Sequence, residues 1–336
     1  MALLVFVAGC GSNSEEPAAE SGTDGTTSIA QSQDPSAPGD TTDAANSTGV
    51  ATAAGTSDGA DSSEGSDDTA PPLEPCNGHV ELCDRPYDQV VFPGTHNSHA
   101  ALDDGFPIVN ANHQQGIAQQ LADGVRVMLI DIYPDPSDAD QIVMCHGPCI
   151  LASLPHLDGL NTIVDFLREN PREVLTIIYQ DAAEVEEIAE DFAITTADTL
   201  TYAHEPGTPW PTLGEMIEAD TRLVITAESG GPPPAWYHHV WDEAWDTPYG
   251  PSSIEDLSCD LNRGSPDHDL FLMNHWVNTL VGLPDMGSAA EVNSTDVLLT
   301  RAQQCWKQWD HPPNFVVVDW YEQGDLFSVV DTLNGI

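Results

Sequence analysis

The chain of 336 residues is long enough for one large domain or two ordinary ones. It carries 55 aspartates and glutamates against 8 lysines and arginines, which gives a formal net charge of −47. A surface this acidic repels the phosphate backbone of nucleic acids, which excludes them as partners, and it repels anionic membranes unless divalent cations intervene.

The chain begins with features of an exported protein. Met1 to Val7 form a short apolar run, and small residues precede Cys10 as they do in bacterial lipoprotein cleavage sites. We therefore expect residues 1–10 to be a signal remnant, with Cys10 carrying the lipid. A cleaved ordinary signal or a chance apolar start is the alternative. Because the usual basic residues are missing before the apolar run, we expect the natural start to lie upstream of Met1.

Residues 11–71 consist mainly of Ser, Thr, Gly, Ala, Asp and Pro, without any lysine or arginine. Such a segment cannot bury a core, so it is predicted to be a disordered acidic tether. The folded domain is predicted to span residues 72–336. This organisation predicts an exported protein, either a bacterial cell-envelope lipoprotein (outer membrane or cell surface) or a secreted one, with a lipid anchor as its contact with the membrane.

The chain has seven cysteines, and six of them follow residue 75. An odd number in an exported chain leaves one cysteine for another role, which fits lipid attachment at Cys10. A metal site of the Cys/His type around His146 is the alternative for two of the cysteines, but export favours disulfides. The predicted pairs are Cys76–Cys83, Cys145–Cys149 and Cys259–Cys305.

Apolar runs alternate with segments of helical periodicity along the folded domain. Strands are predicted at residues 89–92, 125–133, 141–145, 174–179, 222–226, 270–273 and 315–318. Helices are predicted at residues 113–122, from Asp158 to Asn170, and at 184–192, 212–219, 295–308 and 325–333. About seven or eight such units without a glycine-rich phosphate loop favour an α/β fold of the TIM type, a somewhat irregular (β/α) barrel, over a doubly wound sheet.

Polar residues stand at or just past the carboxyl ends of these strands, where barrel enzymes keep their chemistry. They are His96, Asp131, His146, Asp181, Asn274 and Asp319. His96 and His146 are candidates for a general base and acid, since imidazole titrates near neutral pH. Asp319 is a candidate to orient one of them. Packed or surface histidines, and a carboxylate that caps backbone, are the alternatives.

Oxygen-bearing side chains on the same rim raise the question of a metal. Asn97, Asp131 and Asp181 offer hard oxygen ligands suited to Ca²⁺ or Mg²⁺. A hydrogen-bonded polar cluster is the alternative. The candidate substrate-binding residues are Asn274, Tyr321 and Arg126.

Several motifs together resemble the X domain of phosphatidylinositol-specific phospholipases C (PI-PLC). The order and spacing match across nearly all of residues 85–336, closest to the single-domain, secreted or membrane-anchored branch. The matching stretches are Pro93–Ser98, Gly124–Tyr133, Cys145–His146, Phe166–Ile178 and Phe315–Tyr321. The resemblance implies a distorted barrel and phosphodiester cleavage. It implies that His96 deprotonates the inositol 2-hydroxyl, which attacks phosphorus to give a cyclic inositol phosphate. It further implies that His146 protonates the departing diacylglycerol oxygen and that Asp319 pairs with the base.

Two departures from the family pattern concern charge stabilisation. Metal-independent bacterial members have arginine at the position of Asp131, whereas calcium-dependent members have Asn and acidic residues at the positions of Asn97, Asp131 and roughly Asp181. The resemblance therefore implies Ca²⁺ as cofactor. Calcium-dependent members have a second acid two residues before Asp131, where this chain has Leu129, which implies a weaker metal site.

The sequence thus predicts a monomeric phosphodiesterase acting on a phosphoinositol or related lipid phosphodiester. A glycerophosphodiester phosphodiesterase on the same barrel is one alternative, although the His-Arg-Gly opening and Glu-x-Asp pair usual in that family are not seen. A catalytically inactive barrel used for surface binding is the other, motivated by Leu129.

Overall fold

A computed structural model describes residues 74–336. The predicted signal remnant (1–10), the predicted tether (11–71) and the lipidation site at Cys10 lie outside the described residues. The strands are β1 Phe92–Thr95, β2 Val127–Asp135, β3 Asp138–Met144, β4 Leu154–Pro155, β5 Leu175–Asp181, β6 Leu223–Ala227, β7 Tyr237–His239, β8 Ala244–Asp246, β9 Leu270–His275 and β10 Phe315–Val318. The helices are α1 Ile117–Asp123, α2 His156–Glu169, α3 Val185–Thr195, α4 Leu213–Glu218, α5 Ala289–Val292, α6 Thr295–Trp309 and α7 Leu326–Asn334.

Eight strands form one curled parallel sheet in the order β7-β6-β5-β2-β1-β10-β9-β8. β3 pairs antiparallel with β2, and β4 with β3. Within residues 74–336 no ladder joins β7 to β8, so the barrel is open at that seam. The prediction of an irregular TIM-type α/β barrel is therefore confirmed.

Alternation along the strands divides the core in two. Residues Val127 and Leu129 of β2 pack inside the barrel, whereas Met128 and Ile130 face the surrounding helices. At the amino end, Tyr87 fills the interior and stacks on Trp210 with ring centroids 4.7 Å apart. This aromatic plug leaves the carboxyl end as the open mouth of the barrel.

β1 lies three residues later than predicted, because Pro93 and Gly94 continue the strand instead of breaking it. Proline is tolerated here since pairing with β2 begins one residue later, at Gly94 opposite Val127. Glycine fits because a Cβ at position 94 would lie 2.8 Å from a methyl of Val317 and 3.0 Å from the Cβ of Val127. The two central strands therefore approach closely, and β1 delivers His96 directly above the barrel interior.

The structure contains the three predicted disulfides, Cys76–Cys83, Cys145–Cys149 and Cys259–Cys305. Among the described residues, none of the helices combines the length and apolarity needed to cross a bilayer.

Candidate active site

His96 and Asp319 form a hydrogen-bonded pair at the mouth of the barrel. They follow the neighbouring strands β1 and β10, whose register places Thr95 beside Val318. The Nδ1 atom of His96 lies 2.9 Å from Oδ1 of Asp319. Because a carboxylate only accepts, Nδ1 carries the proton and leaves Nε2 as the basic nitrogen.

Neighbouring side chains fix this pair. Asn112 donates to the second oxygen of Asp319 at 2.9 Å, and His113 Nε2 donates to the His96 carbonyl at 2.7 Å. The His96 ring lies flat on Trp276, with centroids 4.0 Å apart and an interplanar angle of 8°. Asp319 is buried and His96 is partly exposed, so the imidazole can reach a ligand while its partner cannot turn away.

Left-handed backbone occurs on both sides of the pair. Asn97, directly after His96, has φ 49°, and Trp320, directly after Asp319, has φ 51°. Asparagine tolerates this region, but it is strained for a tryptophan. Two contacts stabilise this strained conformation of Trp320: its ring is buried, and its backbone N–H donates to the Asn112 carbonyl at 2.7 Å. Strain of this kind concentrates at functional sites.

The β2–β3 hairpin carries His146 back to the mouth. Its ring faces that of His96, with centroids 6.4 Å apart and an interplanar angle of 67°. Asn110 holds it from both sides: the His146 Nδ1 donates to the Asn110 carbonyl at 2.9 Å, and the Asn110 amide donates to the His146 carbonyl at 2.6 Å. Burial, reinforced by the nearby His96, lowers the pKa of His146.

Asn97 and Asp131 lie side by side below His96. With the amide nitrogen of Asn97 turned toward Asp131, it lies 3.2 Å from each carboxylate oxygen, and the amide oxygen lies 3.2 Å from His96 Nε2. Burial raises the pKa of Asp131 to about 7, His96 opposes this rise, and Glu228 adds to it. The carboxylate is therefore poorly compensated and would gain from a nearby positive charge.

Asp181, the third predicted metal ligand, does not join these two residues. The register pairs Asp131 with Gln180, and Asp181 with Ile132, which faces the helices. Asp181 instead accepts hydrogen bonds from the backbone of Ser229 and Gly230 and from the Tyr237 hydroxyl. The predicted three-ligand set is therefore not assembled.

Within the described part of the chain, no group of three or more His, Cys, Asp or Glu side chains is arranged to hold a metal ion. Asp131 is a buried carboxylate without compensating charge, but the amide nitrogen of Asn97 faces it and the amide oxygen faces His96. The two residues fit a weakly held cation only if the Asn97 amide turns its oxygen toward Asp131, with the remaining coordination left to water and ligand.

The three predicted substrate-binding residues fall in three different places. Asn274 faces the mouth but is buried, and its amide donates to Asp246 at 3.1 Å. The Tyr321 hydroxyl donates to Asp123 in the helix layer. Arg126 sits at the amino end of β2, paired with Glu173 at 2.7 Å. The structure thus places Tyr321 and Arg126 away from the two histidines, and it places Asn274 in the barrel interior, bonded to Asp246 and to the Thr247 carbonyl.

Sequence reasoning missed a charged cluster on the far side of the mouth. Arg263 pairs with Glu228 at 2.9 Å and with Asp246 at 2.6 Å. Its guanidinium lies 4.2 Å from the centre of the Trp241 ring and 5.2 Å from that of Tyr249. Glu228 directly follows β6, so strand-end position was a usable signal for it, whereas Asp246 ends β8, a strand that the sequence does not predict. Arg263 comes from a loop and had no such signal.

The mouth is therefore lined by two facing imidazoles and, opposite them, an arginine held by two carboxylates. The Tyr249 ring stacks on the Trp276 ring, with centroids 6.2 Å apart, and Trp276 in turn stacks on His96. His96 is hydrogen-bonded to a carboxylate, which suits it to take a proton, whereas His146 is hydrogen-bonded to a backbone carbonyl, which suits it to give one. The arrangement can transfer protons on either side of a ligand bound between them.

Comparison with known proteins gives a consistent result. The family model described as PI-PLC X 1 matches residues 82–334. The chain is 28% identical over 280 residues to PI-PLC X domain-containing protein 1 of Arthroderma benhamiae, covering 78% of this chain and 90% of that protein. It is 25% identical over 296 residues to an uncharacterized secreted protein of the same fungus, covering 78% of this chain and 64% of the relative.

A PI-PLC X domain-containing protein of Arabidopsis thaliana is 26% identical over 275 residues, covering 74% of this chain and 63% of that protein. The chain thus spans a little under two thirds of this relative and of the secreted one. Among solved structures, the phosphatidylinositol-specific phospholipase C of Staphylococcus aureus superposes with a TM-score of 0.52 at 15% identity, covering 76% of this chain and 95% of that one. A variant of the same enzyme gives a TM-score of 0.54 at 13% identity, covering 76% and 94%. This likeness concerns the fold.

Proposed function

The chain belongs to the PI-PLC X domain family, and from that premise we propose that it is a phosphodiesterase acting on a phosphoinositol or related lipid phosphodiester. The observation that carries the proposal is the His96–Asp319 pair facing His146 across the open mouth, with ring centroids 6.4 Å apart. A barrel used only for binding would not need a carboxylate-backed imidazole opposite a second imidazole.

His96 acts as the general base in this proposal. Its Nε2 takes the proton of the attacking inositol 2-hydroxyl, whose oxygen then forms a bond to phosphorus and gives a cyclic phosphodiester. Asp319 accepts from Nδ1 and stabilises the imidazolium that forms. When no cation occupies the site, the amide oxygen of Asn97, 3.2 Å from Nε2, can accept a hydrogen bond from the proton that Nε2 has taken.

His146 acts as the general acid. Its Nδ1 proton is committed to the Asn110 carbonyl, so the proton given to the leaving oxygen comes from Nε2 of the imidazolium form. Because burial and His96 lower the pKa of His146, this imidazolium releases its proton readily. Hydrolysis of the cyclic product would use the two histidines in exchanged roles.

The charge that develops on the phosphate oxygens needs a positive partner. Asp131 stands below His96 and supplies none, which favours a cation at this place. Ca²⁺, held by Asp131 and by Asn97 with its amide oxygen turned toward that carboxylate, would neutralise the buried charge and supply positive charge to the reacting phosphate.

Arg263 and its aromatic neighbours favour a headgroup that is rich in hydroxyls. The guanidinium is partly exposed, but Glu228 and Asp246 already balance its charge. Such a cluster can exchange hydrogen bonds with hydroxyl groups, whereas it would repel additional phosphates. We therefore expect unphosphorylated inositol, or a similar polyol, rather than a polyphosphorylated headgroup.

The cellular setting is part of the same proposal. Three disulfides and a relative named as a secreted protein support export. The protein would act as a monomer on phospholipid, as a lipid-anchored cell-envelope protein or a secreted one.

The decisive experiment measures turnover of phosphatidylinositol, lysophosphatidylinositol and glycerophosphodiesters by the full chain, with calcium or with chelator. Phosphorus NMR should detect a cyclic phosphodiester product. His96→Ala and His146→Ala should abolish turnover, whereas His79→Ala, at a partly exposed histidine at the amino end of the barrel, should leave it intact. Absence of turnover on every diester would refute the enzyme, and cleavage of glycerophosphodiesters alone would favour the alternative family activity.

A further inference from the structure

Glu243 contacts both sides of the seam at which the barrel is open. Its backbone carbonyl accepts from the Leu270 N–H at 3.1 Å, which ties it to β9 on one side. On the other side its carboxylate faces His204 and His238, whose Nδ1 atoms lie 3.5 Å and 3.2 Å from Oε1. We call His204, His238 and Glu243 the seam cluster. These side chains make a contact across the seam where, within residues 74–336, no ladder joins β7 to β8.

The two histidines belong to the β6–β7 side of the seam. His238 is the middle residue of β7, opposite Thr226 of β6. His204 follows Tyr202, whose N–H donates to the Leu223 carbonyl at the start of β6. The His204 N–H in turn donates to His238 Nε2 at 3.2 Å. The seam cluster therefore connects β9 to β6 and β7 through side chains.

The seam cluster is shielded from water beside the aromatic plug. The side chains of His204, His238 and Glu243 are only 1%, 4% and 3% exposed. The His204 ring lies flat on Trp210, with centroids 3.8 Å apart, and the face of an indole attracts a cation. Both carboxylate oxygens of Glu243 are buried and receive no well-aligned hydrogen bond from the described residues. A buried carboxylate in such a place needs a positive partner.

Hydrogen bonds identify His204 as that positive partner. Its Nε2 lies 3.0 Å from the Thr208 carbonyl, which only accepts, so Nε2 carries a proton. In a neutral His204 the Nδ1 lone pair would then face the Glu243 carboxylate, as two acceptors with no proton between them. A second proton on Nδ1 turns this repulsion into attraction. The geometry therefore favours the imidazolium form of His204.

His238 has a different protonation pattern. Its Nε2 accepts from the His204 N–H, which leaves its single proton on Nδ1, the atom nearer to Glu243. The Tyr202 carbonyl, 3.3 Å from the same Nε2, would accept only from a charged His238. His238 thus satisfies its contacts as a neutral ring, and the charge of the seam cluster resides on His204 and Glu243.

The surrounding charges support this pair of ions. Burial opposes the charge on His204, but Glu243 outweighs it and raises the pKa of His204 above its usual 6.5. Burial also opposes the charge on Glu243, but the two histidines outweigh it and lower the pKa of Glu243 to about 2. Four further ionisable groups interact with His204 or Glu243, namely Asp88, Asp269, Tyr87 and Tyr202.

We propose that the seam cluster is a pH-sensitive switch, which holds β9 against β6 and β7 in weakly acidic water and releases it as the medium turns alkaline. The contribution of His204 to the free energy of unfolding is fully present below pH 6.5 and is lost as pH rises through its raised pKa. The contribution of Glu243 is present above pH 4.5 and is lost as pH falls toward about 2. The seam is therefore held most firmly between about pH 4.5 and pH 6.5.

The switch also affects the mouth of the barrel. Glu243 directly precedes β8, which ends at Asp246, and the carboxylate of Asp246 pairs with Arg263. The Asp246 backbone bonds to Asn262 and Arg263 as well. Movement of β8 at the seam would thus displace Arg263 and weaken its hold on a headgroup. This effect on headgroup binding rests on the proposed function, whereas the switch itself does not.

The first test measures the protonation of His204 in the full chain. Nitrogen-15 NMR of the histidine side chains, assigned by through-bond correlation, distinguishes imidazolium from neutral imidazole. We expect His204 to be charged at pH 6 and to lose its proton only above pH 6.5. A neutral His204 at pH 6 would overturn the proposal. This measurement uses the unaltered protein, so it decides the question even where a variant fails to fold.

The second test measures opening of the seam by hydrogen exchange and mass spectrometry, corrected for the intrinsic effect of pH. Amides of β7, β8 and residues 262–263 should exchange at least about tenfold faster at pH 8.5 than at pH 6, and those of β10 should change less. Glu243→Gln removes the charge and keeps the shape, so its seam amides should exchange rapidly at both pH values. The matched control is His239→Gln, at the next residue of β7, whose ring pairs with Asp242 at the surface and whose loss should change nothing.

Equal protection of the seam amides at both pH values in the unaltered protein would also overturn the proposal. Neither measurement needs substrate, which separates the switch from the proposed function. A pH-dependent seam combined with no turnover on any diester would refute the enzyme and leave the switch standing. Turnover by a protein whose His204 is neutral at pH 6 would refute the switch and leave the enzyme standing.

Discussion

Replacing Asp131 by asparagine removes a buried negative charge and should stabilise the protein at alkaline pH. The folded-state pKa of this carboxyl is raised from 3.8 to about 7. The folded protein therefore binds this proton more tightly than the unfolded chain does. The contribution of Asp131 to the free energy of unfolding therefore falls as pH rises from about 4 to about 7 and is constant above.

The size of the effect follows from the pKa values. The rise from 3.8 to about 7, at about 1.4 kcal/mol for each pH unit, costs at most about 4 kcal/mol. Asparagine keeps an oxygen that can accept from Asn97, so the variant loses the charge and little of the packing. Asp131→Asn should thus gain up to that amount at pH 8 and nothing near pH 4.

Urea unfolding followed by tryptophan fluorescence, at several pH values between 4 and 8, measures this difference. Asp135→Asn on the same strand is the control, because bonds from Ser137 lower the pKa of that carboxyl and removing its charge should not stabilise. Ca²⁺ at pH 8 should stabilise the unaltered protein more than Asp131→Asn. If Asp131→Asn is no more stable than the unaltered protein at pH 8, the electrostatic argument is wrong.

Three further changes test other parts of the site and fold. Asp319→Asn should lower kcat by about 10³- to 10⁴-fold with an unchanged unfolding curve, since only the tautomer of the base is altered; a loss below tenfold would contradict its role. Because burial lowers the pKa of His146 from its usual 6.5, its acid form is already being lost below pH 6.5, so kcat should fall with rising pH from that point onward; a rate that increases toward pH 8 would contradict its role as acid. Arg263→Met should cost about 3 kcal/mol at pH 8, because it leaves the buried Asp246 and the partly exposed Glu228 without their cation. The loss should be smaller at pH 5, because burial raises the pKa values of both carboxyls; equal loss at both pH values in urea unfolding would count against this.

Predicted elements agree with the structure where the apolar pattern is local and strong. β10 has the predicted bounds, and β2, β5, β6 and β9 are displaced or extended by one or two residues. The error at β1 arises because proline and glycine usually end a strand, whereas here Pro93 and Gly94 continue it. Whether a strand accepts proline and glycine at these two positions depends on where β2 begins to pair and on how closely Val317 approaches. Both are properties of the neighbouring strands. β7 and β8 were missed because three residues are too few to show a period.

The same limit explains the site. Strand-end position correctly brought His96, His146 and Asp319 into one list, and the structure brings these three together. Strand-end position also selected Asp181, but the strand register places Asp181 on the side of the sheet that faces the helices. Strict alternation from Ile178 inside the barrel would have selected Gln180 instead.

The sequence by itself determined which residue types stand at the ends of which strands, because hydrophobic periodicity and strand breaks are set by near neighbours in the chain. Only the tertiary structure decided which of them meet. His96 and Asp319 are 223 residues apart and become partners through the β1–β10 ladder. Arg263 and the supporting residues Asn110 and Asn112 lie on loops, whose paths depend on the packing beneath them.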